Sequence, residues 1–188
     1  TPQEVDLFID RHGVGTWQQA PVIPLPRTIP SDMPEPEKMD HVFVHNSITE
    51  PISFTWKDLK ANKGYEIYVC AAQNFGLVID QTVTVTGAGL DDPEPFVQKA
   101  PGNSNRRLII NGEFGFERRT LRSFGVPVTA PASGEINVSV LANAGAVGVF
   151  VNAVRIQEQL PESPQVQIAL EETVLAPDDS VDFGTESA

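Results

Sequence analysis

The sequence predicts an all-β fold, an antiparallel β-sandwich. Three observations lead there. Apolar residues recur with a period of two along several short runs. Turn-forming residues separate those runs at short intervals. No run carries the 3.6-residue apolar stripe of a surface helix.

In chain order, Val5, Leu7 and Ile9 alternate with Asp6, Phe8 and Asp10. Ile52, Phe54 and Trp56 alternate with Ser53 and Thr55, which places Trp56 in the core. Val83 and Val85 alternate with Thr82, Thr84 and Thr86, and Ile136, Val138 and Val140 with Asn137, Ser139 and Leu141. Alternation sends one set of side chains to the core face of a pleated strand and the other toward solvent. Two further runs, 77–79 and 147–156, are apolar on both sides and read as strands buried on both faces. Asn111-Gly112, between Leu108, Ile109, Ile110 and Phe114, is the sharpest turn signal, because both residues tolerate the positive φ of a two-residue hairpin. The stretch 56–62 forms one helical turn at most.

Residues 20–37 hold Pro21, Pro24, Pro26, Pro30, Pro34 and Pro36, which rules out a central strand there. Val22, Ile23, Leu25 and Ile29 favour an extended loop packed over the sandwich. A second change of composition comes at 160–164, followed by a short alternating run at 166–170 and an acidic end. The expected organisation is a sandwich module over 1–158 and a connector over 159–188.

The chain has 188 residues, enough for one domain with a substantial core. Its net charge of −12 disfavours binding to nucleic acid, which needs a positive field, and docking on anionic lipid. No apolar run approaches the length of a membrane span, so no membrane insertion is expected. Cys70 is the single cysteine, so no internal disulfide forms; its strand-like context reads as a buried structural thiol.

Two stretches carry a family resemblance. The opening segment 5–17, VDLFIDRHGVGTW, and the closing segments GEINVSV (134–140) and GVFVNAVRI (148–156) resemble galactose-binding-like jelly-roll modules, a group that includes malectin-like domains and many carbohydrate-binding modules. A last strand of the form apolar-Asn-Ala-apolar-x-Ile is typical of that group. The segment LAPDDSVDFGT (175–185) resembles the opening of an immunoglobulin-like repeat of bacterial surface proteins. Together they imply a lectin-like module of a secreted or cell-surface multidomain protein. Its implied partners are a glycan or cell-surface polysaccharide and the neighbouring domains of its parent chain. The alternative is a structural or adhesive spacer, or a self-assembling repeat of a surface layer or filament.

A sugar site needs an aromatic platform beside planar polar groups. Asn103, Asn105, Arg107, Phe114, Phe116, Arg118 and Arg119 form the best cluster; with Arg106 and Arg122, five of the 13 basic residues gather near one hairpin. The competing reading is a solvated strand face whose arginines pair with Glu113 and Glu117. Asn74 and Phe75 at a strand end, and Trp17 in a glycine-flanked loop, are further candidates. Burial beneath the Pro-rich loop competes with a platform role for Trp17.

Calcium is the ion the acidic loops suit, and Asp91, Asp92 and Glu94 are the candidate ligands, though their spacing matches no defined calcium loop. A solvated, unoccupied loop is the alternative. His41 and His45 stand too far apart on a strand, roughly 13 Å, to share a zinc ion. No nucleophile elbow, phosphate-binding glycine loop or Cys–His signature is present, so a catalytic role such as hydrolysis is not expected. Asn137-Val138-Ser139 is a glycosylation sequon, incidental in a bacterial chain.

Overall fold

The computed structural model describes residues 6–10, 18–19, 30, 32–33, 43–45, 49–72, 76–87, 92–102, 107–115 and 120–159. They form an antiparallel sandwich of thirteen short strands with one 3-10 turn, Leu121–Phe124. The first sheet has the order β1 (Asp6–Asp10), β4 (Ile52–Lys57), β11 (Ile136–Ala142), β6 (Ile79–Thr86), β7 (Phe96–Ala100). In the second, β5 (Gly64–Ala71) is central. β13 (Ala153–Glu158) lies on one side of it; β10 (Val126–Thr129) and the hairpin β8 (Ile109–Ile110)–β9 (Glu113–Phe114) lie on the other. A small third sheet joins β12 (Val149–Val151), β3 (Phe43–His45) and β2 (Gln18–Gln19). The chain passes repeatedly between the two main sheets, the crossover habit of a jelly roll.

The period-two pattern becomes the core. Ile52, Phe54 and Trp56 of β4, Val83 and Val85 of β6, and Ile136, Val138 and Val140 of β11 face Tyr65, Ile67 and Val69 of β5 in one buried cluster. Strand β5 is buried on both faces. Its other side chains, Tyr68 and Cys70, pack with Leu108, Ile110, Leu121, Phe124 and Met33 in a second cluster. Pro30 and Met33 are buried, and the Asp32 carboxylate accepts from the Leu121 N–H at 2.7 Å, starting the 3-10 turn. Burial pushes the Cys70 thiol up to about 12, which makes it an inert, structural group.

Two sequence expectations need correction. The run 77–79 is not a doubly buried strand: Leu77 and Val78 are 36% and 47% exposed, and β6 starts only at Ile79. The run 147–156 is not one strand either. Val147 is 51% exposed, β12 is fully buried, and Asn152 breaks the chain before the half-buried β13. Apolar runs report burial somewhere along their length; they do not report where the backbone turns.

The Asn111-Gly112 signal is realised as a type I′ hairpin, with φ of 47° and 87°. A Cβ on Gly112 would stand 2.8 Å from the Val97 carbonyl oxygen of β7. Gly112→Ala therefore combines left-handed strain with a backbone clash and should cost about 2 kcal/mol, read as a lower urea midpoint.

The two ends of the sandwich differ. At one end the loops are tied by main-chain bonds: Leu59 N to Gly134 O, Asn62 N to Ala130 O, Ala130 N to Lys63 O and Gln159 N to Gly64 O. Lys60 and Lys63 both pair with Glu158 there, which holds its carboxyl below the usual carboxylate range. The other end, marked by Ala71, Ile79, Ala100 and Ile109, carries the loops after β5, β7, β9 and β11.

Candidate functional site

That second end holds the two described candidates, Arg107 and Phe114. Ile79, Ala100, Ala71, Ile109 and Phe150 form a small cluster that closes the sandwich, and Phe114 packs against it from β9. Arg107, just before β8, lays its guanidinium over the Phe114 ring, 3.7 Å from the centroid. Such a cation–π contact contributes about 0.5–1 kcal/mol at a partly exposed site. The side of the ring expected to meet a ligand is thus covered; the planar group presented there is the guanidinium.

Of the other predicted ligand residues, Trp17, Asn74, Phe75, Asn103, Asn105, Phe116, Arg118 and Arg119 lie outside the described residues. The points from which their stretches leave are described. Ala72 and Gly76 flank 73–75, Gly102 and Arg107 flank 103–106, and Gly115 precedes 116–119. All belong to the same end, and Gly102 packs directly on the Gly76 backbone. The Asn152 side chain accepts from the Ala72 N–H at 2.6 Å, so the Asn of the apolar-Asn-Ala pattern pins the chain just past the end of β5 to the head of β13.

The arginines do not all pair as the competing reading had it. Arg122 reaches Glu66 of β5, with Nε 3.5 Å from Oε1, rather than Glu113. The Glu66 Oε2 accepts from the Tyr68 hydroxyl at 2.6 Å. Burial, reinforced by this carboxylate, pushes the Tyr68 phenol well above its ordinary value.

Of the acidic candidates, Asp92 and Glu94 lie at the opposite, tied end. Asp92 is a turn residue whose Oδ1 accepts from the Gly87 N–H at 2.6 Å; Glu94 is exposed, and Asp91 is outside the described residues. Among the described residues, no three of His, Cys, Asp and Glu are grouped as a metal centre would require.

Near the loop end, Asp80 accepts from Lys99 at 2.8 Å and from the Asn143 amide at 2.7 Å. Both bonds hold its carboxyl below the ordinary 3.8. A depressed folded-state value stabilises the fold above the unfolded value and loses that contribution as the pH falls through the folded one. The stability difference between wild type and Lys99→Met should therefore shrink between pH 5 and pH 2, measured by urea denaturation.

Sequence reasoning missed two buried amides, Gln81 and Gln98, paired across β6 and β7 at the base of this end. The signal was present: Gln81 falls in phase with Ile79, Val83 and Val85, a polar residue on the inward face.

No known protein family matches the chain, and no curated protein matches it. Among solved structures, the ANXUR1 extracellular domain from Arabidopsis thaliana is similar over 80% of this chain and 40% of that one, with a TM-score of 0.50 and 12% identity. The enzymatically active domain of tailspike protein 4 from bacteriophage CBA120 is similar over 82% of this chain and 19% of that one, with a TM-score of 0.39 and 12% identity. The chain thus spans less than half the length of either. The ANXUR1 likeness is one of fold, and it agrees with the all-β sandwich that the sequence predicts.

Proposed function

We infer that the chain is a non-catalytic carbohydrate-binding module of a secreted or cell-surface protein, with its glycan site at the loop end. One observation carries this reading: the Arg107 guanidinium is held over the Phe114 ring where the amide- and arginine-rich stretches 73–75, 103–106 and 116–119 begin. Planar donors and carboxamides are the groups that satisfy paired sugar hydroxyls. The galactose-binding-like resemblance and a fold shared with an extracellular domain support it. Calcium held at Asp91, Asp92 and Glu94 would sit at the far end. It would raise the melting temperature without changing glycan affinity.

A glycan array tests the reading. Reproducible binding, reduced at least about tenfold by Arg107→Ala, Phe116→Ala or Arg119→Ala, is expected. Silence across the array, with self-association in light scattering, would replace it with the spacer or self-assembling repeat.

A further inference from the structure

Asn111 is followed by glycine, and no other of the nine asparagines of this chain is. The pair carries an intrinsic reactivity. A glycine has no Cβ to shield its peptide nitrogen, so in an open chain that nitrogen reaches the carboxamide carbon of the residue before it. The fold nevertheless needs both members of the pair where they stand. Asn111 and Gly112 take the two positive φ angles of the hairpin, 47° and 87°, and a Cβ on Gly112 would meet the Val97 carbonyl oxygen.

What restrains the carboxamide is bonding rather than depth. Asn111 is half-buried and Gly112 is exposed, so water reaches the turn. The Asn111 Nδ2 donates to the Ile67 and Phe124 carbonyls at 2.6 Å and 2.7 Å, and its Oδ1 accepts from the Val69 N–H at 2.8 Å. Attack on the carboxamide carbon turns the group toward its own main chain and removes Nδ2, so these bonds must be given up. The anchor of the hairpin is short: β8 adds only Ile109 and Ile110 to β5, opposite Ala71 and Cys70. A two-residue ladder beside an exposed turn is the kind of unit that opens without unfolding the rest of a sandwich.

We propose that Asn111 is a deamidation site gated by the fold, unreactive while its carboxamide is bonded to β5 and converted when the β8–β9 hairpin lifts. In the first step the Gly112 nitrogen bonds to the Asn111 Cγ. The Cγ–Nδ2 bond breaks, and Nδ2 leaves as ammonia with the proton that the Gly112 nitrogen gives up. Water then opens the cyclic imide at one of its two carbonyls and leaves aspartate or isoaspartate. Neither product restores the lost bonds. A carboxylate has no N–H to offer the Ile67 and Phe124 carbonyls. Isoaspartate adds a main-chain carbon to a turn whose flanks pair Ile110 with Glu113. The modification is thus a one-way mark of molecules that have opened, since chemical change in the open state makes the loss irreversible. It stands independently of the carbohydrate reading.

The test incubates the whole chain at mildly alkaline pH, in buffer and in concentrated guanidinium chloride. Peptide mapping by mass spectrometry follows every asparagine and separates isoaspartate from aspartate. In denaturant Asn111 should be the first asparagine lost. In buffer it should be lost at least about tenfold more slowly, because only the open fraction reacts. Ile110→Val removes one methyl from the fully buried residue that anchors the hairpin, and should speed the loss in buffer about two- to tenfold while leaving the rate in denaturant unchanged. Gly112→Ala, compared in denaturant where the fold plays no part, should slow the loss at least about tenfold. The deamidated chain, separated by ion exchange and refolded, should unfold at a lower urea concentration than the intact one.

Equal rates in buffer and in denaturant, or a buffer rate that Ile110→Val leaves unchanged, overturn the gating by the hairpin. Another asparagine lost first in denaturant, or Gly112→Ala reacting there as fast as the wild type, overturns the assignment to this pair. A deamidated chain that refolds with the wild-type urea midpoint overturns the one-way mark.

Discussion

Asn111→Ala should destabilise the protein by about 3 kcal/mol, far more than a turn residue ordinarily does. The reason lies in what its side chain does along β5. Strands β10 and β8 both pair with the same edge of β5, β10 along Gly64–Ile67 and β8 along Cys70–Ala71, and a gap separates them. Asn111 fills it. Its Oδ1 accepts from the Val69 N–H at 2.8 Å, and its Nδ2 donates to the Ile67 carbonyl at 2.6 Å and the Phe124 carbonyl at 2.7 Å. Its backbone N–H donates to the Val69 carbonyl at 3.1 Å. The carboxamide thus offers β5 one acceptor and one donor where a continuous neighbouring strand would have offered a peptide.

Alanine removes all three side-chain bonds and sits badly at φ 47°. An orphaned N–H costs about 1–3 kcal/mol and left-handed alanine about 1 more. Asn111→Gly separates the two effects: it relieves the strain and should recover only about 1 kcal/mol of the loss. Asn111→Asp keeps the acceptor but turns a carboxylate toward two carbonyls. Its folded pKa should rise, so its deficit should ease as the pH falls toward 4, where the protonated acid regains a donor. Urea midpoints with unchanged slope would measure each. A loss under about 1 kcal/mol for Asn111→Ala would show that water replaces the amide and that the gap needs no filling.

The strand pattern was legible because burial on a pleat has a period of two. β4, β6 and β11 show clean alternation, and their inward residues are the ones that alternation selects. The hairpin was legible because few residue pairs accept two successive positive φ angles. The ends of the apolar runs were not. Leu77 and Val78 continue an apolar series past the last paired residue, and nothing local marks where β7 stops covering β6.

The candidate site was legible as composition but not as geometry. Arg107 and Phe114 are visible in the sequence, and their meeting at this end follows only from the topology. No local pattern tells that Arg107 would cover the ring of Phe114, because the contact forms across the mouth of a hairpin. The acidic candidates looked equally site-like, yet the turn at Gly87 places Asp92 at the far end as a cap.

Gln81→Leu should be the most damaging single amide replacement in the sandwich, at about 4 kcal/mol. Gln81 is fully buried on the inner face of β6, beside the edge of β12 that no described strand pairs with. Its Oε1 accepts from the Phe150 N–H at 2.8 Å and its Nε2 donates to the Phe150 carbonyl at 2.9 Å. One carboxamide makes to one residue the two bonds that a partner strand would make. Asn111 performs the same service on β5, so two side chains close two strand edges inside a fold whose sheets do not meet there. Leucine fills the volume but leaves the Phe150 N–H and carbonyl with no partner in a dry interior.

Gln98 distinguishes this account from a general intolerance of change. Its Oε1 accepts from Gln81 Nε2 at 2.6 Å, and its Nε2 donates to the Val69 carbonyl at 2.8 Å. That carbonyl keeps the Asn111 N–H when Gln98 is replaced, and Gln81 Nε2 keeps Phe150. Gln98→Leu therefore strands fewer groups and should cost about 1–2 kcal/mol, well short of Gln81→Leu. The two networks meet at Val69, so Asn111→Gly and Gln98→Leu should couple by about 0.5–1 kcal/mol in a double-mutant cycle, each removing support the other relies on. If Gln98→Leu proved as costly as Gln81→Leu, the strand-surrogate role of Gln81 would be lost, and packing volume alone would explain why both positions are occupied by glutamine.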